Sequence, residues 1–361
     1  MSVFASRLVR WQTRHGRHDL PWQRTRNPYR IWLSEVMLQQ TQVATVIPYY
    51  RRFLARFPDV KSLAKASLDE VLTLWSGLGY YTRARNLHAA ARAVVALHRG
   101  RFPRTREALE SLPGLGRSTA AAIAVFAFGA REAILDGNVK RVLARHFAVR
   151  GYPGEPRVEK RLWSLAEAAL PAGAIEAYTQ SLMDLGAGVC ARKRPACAKC
   201  PVRETCKARA QGRVEAYPEP RPRKARPVKQ ASMLLLLRNG EVLLEKRAPA
   251  GLWGGLWCLP ELPPGSEPDD YCLRRFGAQP IDVRRLALLR HDFTHFTLNI
   301  TPLACSLGSV ARGTAEPGQV WLTAAEAIGA AVPAPVRKLL AGLDSGSLLG
   351  EPTALEKALQ D

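Results

Sequence analysis

A helical N-terminal region followed by a smaller α+β domain is the architecture this chain predicts, and three observations carry that expectation. Its 361 residues exceed one ordinary domain, so two substantial cores are expected. Apolar residues recur at helical spacing through the first 210 residues and at strand spacing from residue 231 onward. Between them, residues 212–230 place Pro218, Pro220, Pro222 and Pro227 among Arg221, Arg223 and Lys224 without any apolar period, which is the composition of a semi-extended linker.

Taken in order, amphipathic spacing predicts helices near residues 3–14, 29–40, 48–57, 83–98, 117–129, 139–147, 157–169 and 174–188. The expected boundaries are 1–211 for the helical domain, 212–230 for a basic Pro-rich linker, 231–345 for the second domain and 346–361 for a tail. The second domain opens on an apolar run at 232–238, then Asn239-Gly240, then a second run at 241–246. Two residues that accept positive φ between two such runs specify a tight hairpin. Apolar alternation near 286–289 and 296–303, with helical patterns near 267–276 and 334–342, completes an α+β pattern.

Charge says what the helical part meets. The chain carries a net +22. Residues 1–210 hold 35 Lys and Arg against 15 Asp and Glu, residues 211–230 hold 6 against 2, and residues 231–361 hold 12 against 14. A polyanionic partner, nucleic acid above all, is therefore expected on the first half and the linker. The longest apolar stretch, residues 119–130, falls short of the roughly 20 residues that span a bilayer, so no membrane partner is expected. Arg7, Arg10 and Arg14 interrupt any signal-peptide core, and a reduced, intracellular setting is the expectation.

Four of the seven cysteines, Cys190, Cys197, Cys200 and Cys206, follow a C-x6-C-x2-C-x5-C spacing. Converging thiolates at that density suit structural zinc or an iron-sulfur cluster. Zinc sites tend to use two close pairs, and only Cys197 and Cys200 form one here, which favours the cluster. Arg192, Lys193, Arg194, Lys199, Arg203 and Lys207 give this loop a basic face suited to DNA phosphates. Cys258, Cys272 and Cys305 are isolated and read as buried free thiols.

Leu112-Pro113-Gly114-Leu115-Gly116-Arg117-Ser118-Thr119 reads as a hairpin opening a helix. Pro113 fixes the turn, and Gly114 and Gly116 lack the Cβ atoms that would keep backbone amides from a phosphate. Alone, such a turn commonly does no more than join two helices. Downstream, Leu135-Asp136-Gly137-Asn138 reads as a turn and N-cap. Upstream, Glu35 has Ile31, Trp32, Leu38 and Gln39 as helical neighbours, none of them basic, so an ordinary surface ion pair is disfavoured. A desolvated carboxyl has a raised pKa and can donate a proton near neutrality. Two carboxyls of unlike surroundings are what glycosidic-bond chemistry requires.

These residues, with Leu20-Pro21-Trp22, the stretch from Trp32 to Gln42, and Trp75-Ser76-Gly77-Leu78-Gly79-Tyr80-Tyr81, resemble the MutY-type adenine DNA glycosylases, a branch of the helix-hairpin-helix glycosylases that include endonuclease III. The resemblance spans residues 1 to about 340. It implies an all-α helix-hairpin-helix domain with an iron-sulfur loop, a [4Fe-4S] cluster on Cys190, Cys197, Cys200 and Cys206, and an α+β Nudix-like domain that recognises 8-oxoguanine. It implies a bacterial, nucleoid-associated monomer acting on double-stranded DNA with A:8-oxoguanine or A:G mispairs. By resemblance Glu35 protonates the flipped adenine, Asp136 stabilises the sugar cation, and Asn138 positions Asp136. Leu20, Trp22 and Gln180 would border the adenine pocket, Gln40 and Tyr80 would wedge into the duplex, and Gln42, Gly114, Gly116 and Ser118 would meet DNA. Phe293-Thr294-His295 resembles the family's Phe-Ser-His lesion loop, with Thr for Ser. The bifunctional relatives carry lysine where this chain has Ser118, which cannot form an imine, so monofunctional chemistry is expected. True Nudix hydrolases need a Glu-rich helix that residues 265–277 do not supply, so pyrophosphatase activity is not expected. Two other readings remain: a glycosylase with lyase activity of the endonuclease III type, and a metallated DNA-binding protein that releases no base.

Overall fold

The computed structural model describes residues 2–222, 225–307 and 317–348. Twelve helices precede the first strand among the described residues: α1 (Val3–His15), α2 (Pro28–Leu38), α3 (Val43–Arg56), α4 (Val60–Lys65), α5 (Leu68–Trp75), α6 (Thr82–His98), α7 (Arg106–Glu110), α8 (Arg117–Phe128), α9 (Gly137–Phe147), α10 (Pro156–Ala168), α11 (Ile175–Asp184) and α12 (Lys207–Ala210). The chain forms two compact units, residues 1–66 with 82–223, and residues 67–81 with 224–361. Thus α5 packs with the second unit although the sequence sets it in the helical half.

In the first unit, α8 is the central helix. Every residue from Ala120 to Val125 is buried, and the alanines let α2, α7 and α11 pack closely around it. Phe4, Leu8, Leu143, Tyr178 and Leu182 form a core from α1, α9 and α11. Asn27 starts α2 by accepting from the amides of Tyr29 and Arg30, with Pro28 in the first turn where its missing N–H costs nothing. Helix α3 begins at Val43 rather than near residue 48, because Pro48 lies inside it instead of opening it. The six-residue α4 and five-residue α7 were too short to show a period. Helix α11 stops at Asp184, where the expected helix continues only as a π-helical turn, Leu185–Val189.

In the second unit, β1 (Val228–Arg238) and β2 (Glu241–Lys246) form the expected hairpin, with Asn239 and Gly240 both at positive φ. The other elements are β3 (Trp257–Cys258), β4 (Glu261–Leu262), α13 (Pro268–Phe276), β5 (Pro280–Arg285), β6 (Leu289–Asp292), β7 (Thr297–Leu307), β8 (Gln319–Thr323), α14 (Ala324–Gly329) and α15 (Ala334–Asp344). The sheet runs β3-β2-β1-β7-β5, with β4 on β1, β6 on β7 and β8 on β2, and among the described residues only β1 and β7 pair in parallel. Leu234, Leu236, Leu243, Cys272 and Cys305 lie in its core. Strand β1 starts inside the segment expected to be linker. Its first three residues are exposed and carry no apolar signal, yet their backbones pair with β7 from Val228 opposite Thr297. The strand expected near 286–289 lies instead at Leu289–Asp292. Residues 349–361, most of the expected tail, lie outside the described residues. Among the described residues no helix is long and apolar enough to cross a membrane.

Candidate active site

The segment between α1 and α2 builds one wall of a cavity of about 550 Å³ in the first unit. Gln23 staples this segment: its Nε2 donates to the Arg17 carbonyl (3.0 Å) and its Oε1 accepts from the Leu20 amide (3.1 Å). Leu20 and Trp22 are thereby held in the cavity lining, with Trp22 edge-on to Tyr50 at 5.4 Å. Gln180 from α11 lines the same cavity. So the three residues expected around the base come together. Arg17, which the sequence did not single out, lines it as well, and its Nε and Nη2 each lie 2.6 Å from Asp184 Oδ1.

A second cavity of about 370 Å³ is lined by Gln42, Ser118, Asp136 and Asn138. Glu35 lines both cavities, together with Arg17, Leu38, Val43 and Met183. Burial raises the Glu35 carboxyl from 4.5 to about 8, and the nearby Asp136 charge adds to the rise. It is therefore mostly protonated at neutral pH. Asp136 caps α9 through a 2.8 Å bond from the Val139 amide, and Asn138 Nδ2 donates to its other oxygen at 3.3 Å. Burial raises Asp136 too, opposed by those hydrogen bonds and by the charge of Arg141. Both acids are thus desolvated, and Asp136 is in addition held by hydrogen-bond donors.

Asn138 is itself gripped. Arg141 Nη2 donates to its Oδ1 (2.8 Å) and to the Gly186 carbonyl (2.6 Å). A Cβ on Gly186 would lie 2.5 Å from the Asn138 Cβ, so the π-helical turn can press on Asn138 only as glycine. Buried Arg83 donates to the carbonyls of Val36 (3.1 Å), Met37 (2.8 Å) and Gln39 (2.7 Å) and closes the end of α2. Arg141 closes the Leu135–Arg141 stretch of the sequence without any sign of these partners, and Arg83 had no signal at all, because an Arg on a helix reads as solvent-facing charge.

Helices α7 and α8 with the turn between them form the hairpin. Gly114 stands at φ +78°, and a Cβ there would meet Asn86 at 2.5 Å. Gly116 caps α8 with no side-chain partner for the first amides, and nothing lies within 4 Å of where its Cβ would be. Its glycine is thus not required by the protein's own packing. Ser118 Oγ accepts from the Leu135 amide at 2.9 Å, one residue before Asp136. Gln40 is exposed at φ +57°; in the second unit Tyr80 is 49% exposed at φ +48°. Non-glycine residues are uncommon in that region, and Arg99 and the helix-capping Ala148 and Ala174 adopt it as well.

The β6–β7 turn carries Phe293, Thr294 and His295. Phe293 packs against His291 (4.5 Å), stacks on Phe296 (4.5 Å) and meets Trp253 (5.8 Å), which leaves Thr294 and His295 exposed at the tip. Back in the first unit, buried Arg145 organises the cysteine loop by donating to the Cys190 carbonyl (3.2 Å) and Sγ (3.3 Å), the Ala191 carbonyl (2.7 Å) and the Arg192 carbonyl (3.1 Å). Among the described residues no three His, Cys, Asp or Glu side chains converge closely enough for one metal ion. Yet Cys200 feels the charge of Cys190, Cys197 and Cys206. Four thiols within electrostatic reach of one another on one loop are a donor set that suits structural zinc or an iron-sulfur cluster. The six basic residues of the loop are all exposed.

Two family models match the chain. Residues 33–168 match the HhH-GPD superfamily of base excision DNA repair proteins, and residues 232–342 match the NUDIX domain. A thermostable thymine-DNA glycosylase of known structure is 34% identical, with a TM-score of 0.53, covering 58% of this chain and 96% of that one. Endonuclease III bound to DNA shares the fold at 21% identity and a TM-score of 0.50, covering 58% of this chain and 94% of its own. Adenine DNA glycosylase of Buchnera aphidicola subsp. Acyrthosiphon pisum (strain APS) is 34% identical over 94% of this chain and 97% of its own length. That of Homo sapiens is 35% identical over 97% of this chain and 76% of its own. Matched along both units, and carrying an acid pair beside a hairpin, the chain belongs to the adenine DNA glycosylases, base excision repair enzymes that hydrolyse N-glycosyl bonds.

Proposed function

We propose that the substrate is adenine opposite 8-oxoguanine or guanine in double-stranded DNA, and that the enzyme acts as a monofunctional monomer with a [4Fe-4S] cluster on Cys190, Cys197, Cys200 and Cys206. The observation that carries the chemistry is Glu35, held protonated up to about pH 8 in the wall between two cavities, with Asp136 in the second.

Adenine leaves the stack and enters the larger cavity against Leu20, Trp22 and Gln180. Glu35 donates its proton to N7. The bond between C1′ and N9 then breaks, its electron pair leaves with adenine, and positive charge develops on the sugar. Asp136, on the sugar side, opposes that charge, with a transient ester to C1′ as one route. Glu35, now a carboxylate, takes a proton from water as the oxygen bonds to C1′. No amine stands at position 118, so the strand stays intact. Cys190, Cys197, Cys200 and Cys206 would hold the cluster, which would cross-link residues 190–206 so that their exposed basic side chains form one phosphate-binding face. The exposed Thr294 and His295 offer a hydroxyl and an imidazole to the lesion opposite adenine. The proposed setting is the reducing cytoplasm, on the nucleoid.

The test incubates the enzyme with A:8-oxoguanine and A:G duplexes and assays strand scission with and without alkali. Free adenine and alkali-dependent scission support the proposal. Scission without alkali points to a lyase, and binding without base release to a non-catalytic protein.

A further inference from the structure

We infer that Asp184 is a positioning residue that fixes which end of the Gln180 amide meets the flipped base, and so sets the preference for a 6-amino purine over a 6-oxo purine. The inference rests on the reading above, in which the base occupies the larger cavity. Asp184 lines neither cavity, so it acts through its neighbours.

The Asp184 side chain is 3% exposed. Its Oδ2 accepts from the Arg17 amide at 2.9 Å, and its Oδ1 faces Arg17 Nε and Nη2, each at 2.6 Å. A carboxylate so paired with a guanidinium offers only acceptors. Gln180 lies one helical turn earlier on α11 and brings its Nε2 to Oδ1 at 2.9 Å. The two ends of a side-chain amide have nearly the same shape, so packing alone does not choose between them. Here polarity chooses: rotating the amide would set its oxygen against the carboxylate. The Gln180 Oε1 is therefore the end left over, and among the described residues it accepts no other hydrogen bond. On a cavity-lining residue, that free acceptor complements the amino group of adenine. It repels the carbonyl that replaces the amino group in hypoxanthine, where two lone-pair oxygens would meet.

Asp184→Asn keeps the shape and removes the constraint, since an amide at 184 can donate to Gln180 as well as accept from it. The experiment uses the full-length holoenzyme and single-turnover excision from two duplexes, one with adenine and one with hypoxanthine opposite 8-oxoguanine. The adenine-to-hypoxanthine rate ratio should fall roughly ten- to hundredfold in Asp184→Asn, the scale of one misdirected buried hydrogen bond. Asp184→Glu, again acceptor-only, should restore most of the ratio even if both rates drop. Equal losses on both bases in folded Asp184→Asn would overturn the inference and leave Asp184 as a tie between α11 and the Arg17 loop. If Asp184→Asn does not fold, Gln180→Met leaves the Asp184–Arg17 pair intact and should lower the ratio similarly, and an unchanged ratio there overturns the inference too. A wild type that releases no adenine defeats the functional reading instead, a result distinct from an unchanged ratio.

Discussion

Replacing Glu35 by Gln should weaken catalysis and strengthen the fold, and the second effect has a size. A carboxyl whose folded pKa lies above its unfolded value binds its proton more tightly in the folded chain. Its contribution to stability is fully present below pH 4.5 and is lost as the pH rises through about 8. At 1.36 kcal/mol per pH unit, the penalty relative to a neutral side chain of the same shape grows to about 3 kcal/mol at pH 7 and approaches about 5 kcal/mol above pH 9. Glu35→Gln removes it. Urea unfolding followed by circular dichroism at pH 5.5, 7 and 9 (about those values) should show a stability gap in the variant's favour that widens with pH. In parallel, single-turnover excision should fall about 10² to 10⁴-fold with mismatch affinity kept. A gap that stays constant with pH would refute the claim that folding holds this carboxyl protonated, and near-normal excision would remove Glu35 from the mechanism.

In the wild type, the excision rate should lose about tenfold per pH unit above the Glu35 value of about 8, with an acidic limb above an ordinary aspartate's 3.8 from Asp136; a flat profile through pH 9 would contradict the acid's role. Gly186→Ala forces a Cβ to within 2.5 Å of Asn138, so it should cost about 1–3 kcal/mol of stability and slow excision more than DNA binding, checked by unfolding and single-turnover assays side by side. Protein purified anaerobically should hold about four irons with matching sulfide per chain, and stoichiometric zinc from the native host would dismiss the cluster. Thr294→Ala with His295→Ala should lower the preference for A:8-oxoguanine over A:G by roughly 5- to 150-fold while A:G excision persists; equal discrimination under matched salt would place lesion reading elsewhere.

Much of this molecule was legible because its strongest determinants are local. Asp136 caps the helix that its own turn begins, and Asn239-Gly240 makes the hairpin its φ values require. What stayed hidden depends on partners distant in sequence. Arg17 and Asp184 are 167 residues apart, and nothing in either segment announces the other. Gln180 and Asp184 stand one turn apart on a helix that also carries Glu176, Thr179 and Ser181, and nothing in that mixture marks Asp184 as the side chain the fold buries. The start of β1 was missed for a related reason: Val228–Gln230 pair through backbone groups, while their side chains remain in water and show no pattern.

The hydrogen bond from the Leu135 amide to Ser118 also bears on how such enzymes diverge. A hydroxyl at 118 ties the hairpin turn to the backbone that seats Asp136; a lysine at 118, in its ordinary protonated form, would offer only donors to that amide and would have to shed its proton to attack a sugar. The two activities therefore compete for one position through opposite demands, an acceptor in one and a nucleophile in the other. A lineage crossing from hydrolysis to strand cleavage would have to reseat its acid as it gained its amine, which makes the passage a coordinated change of several residues rather than a single neutral step.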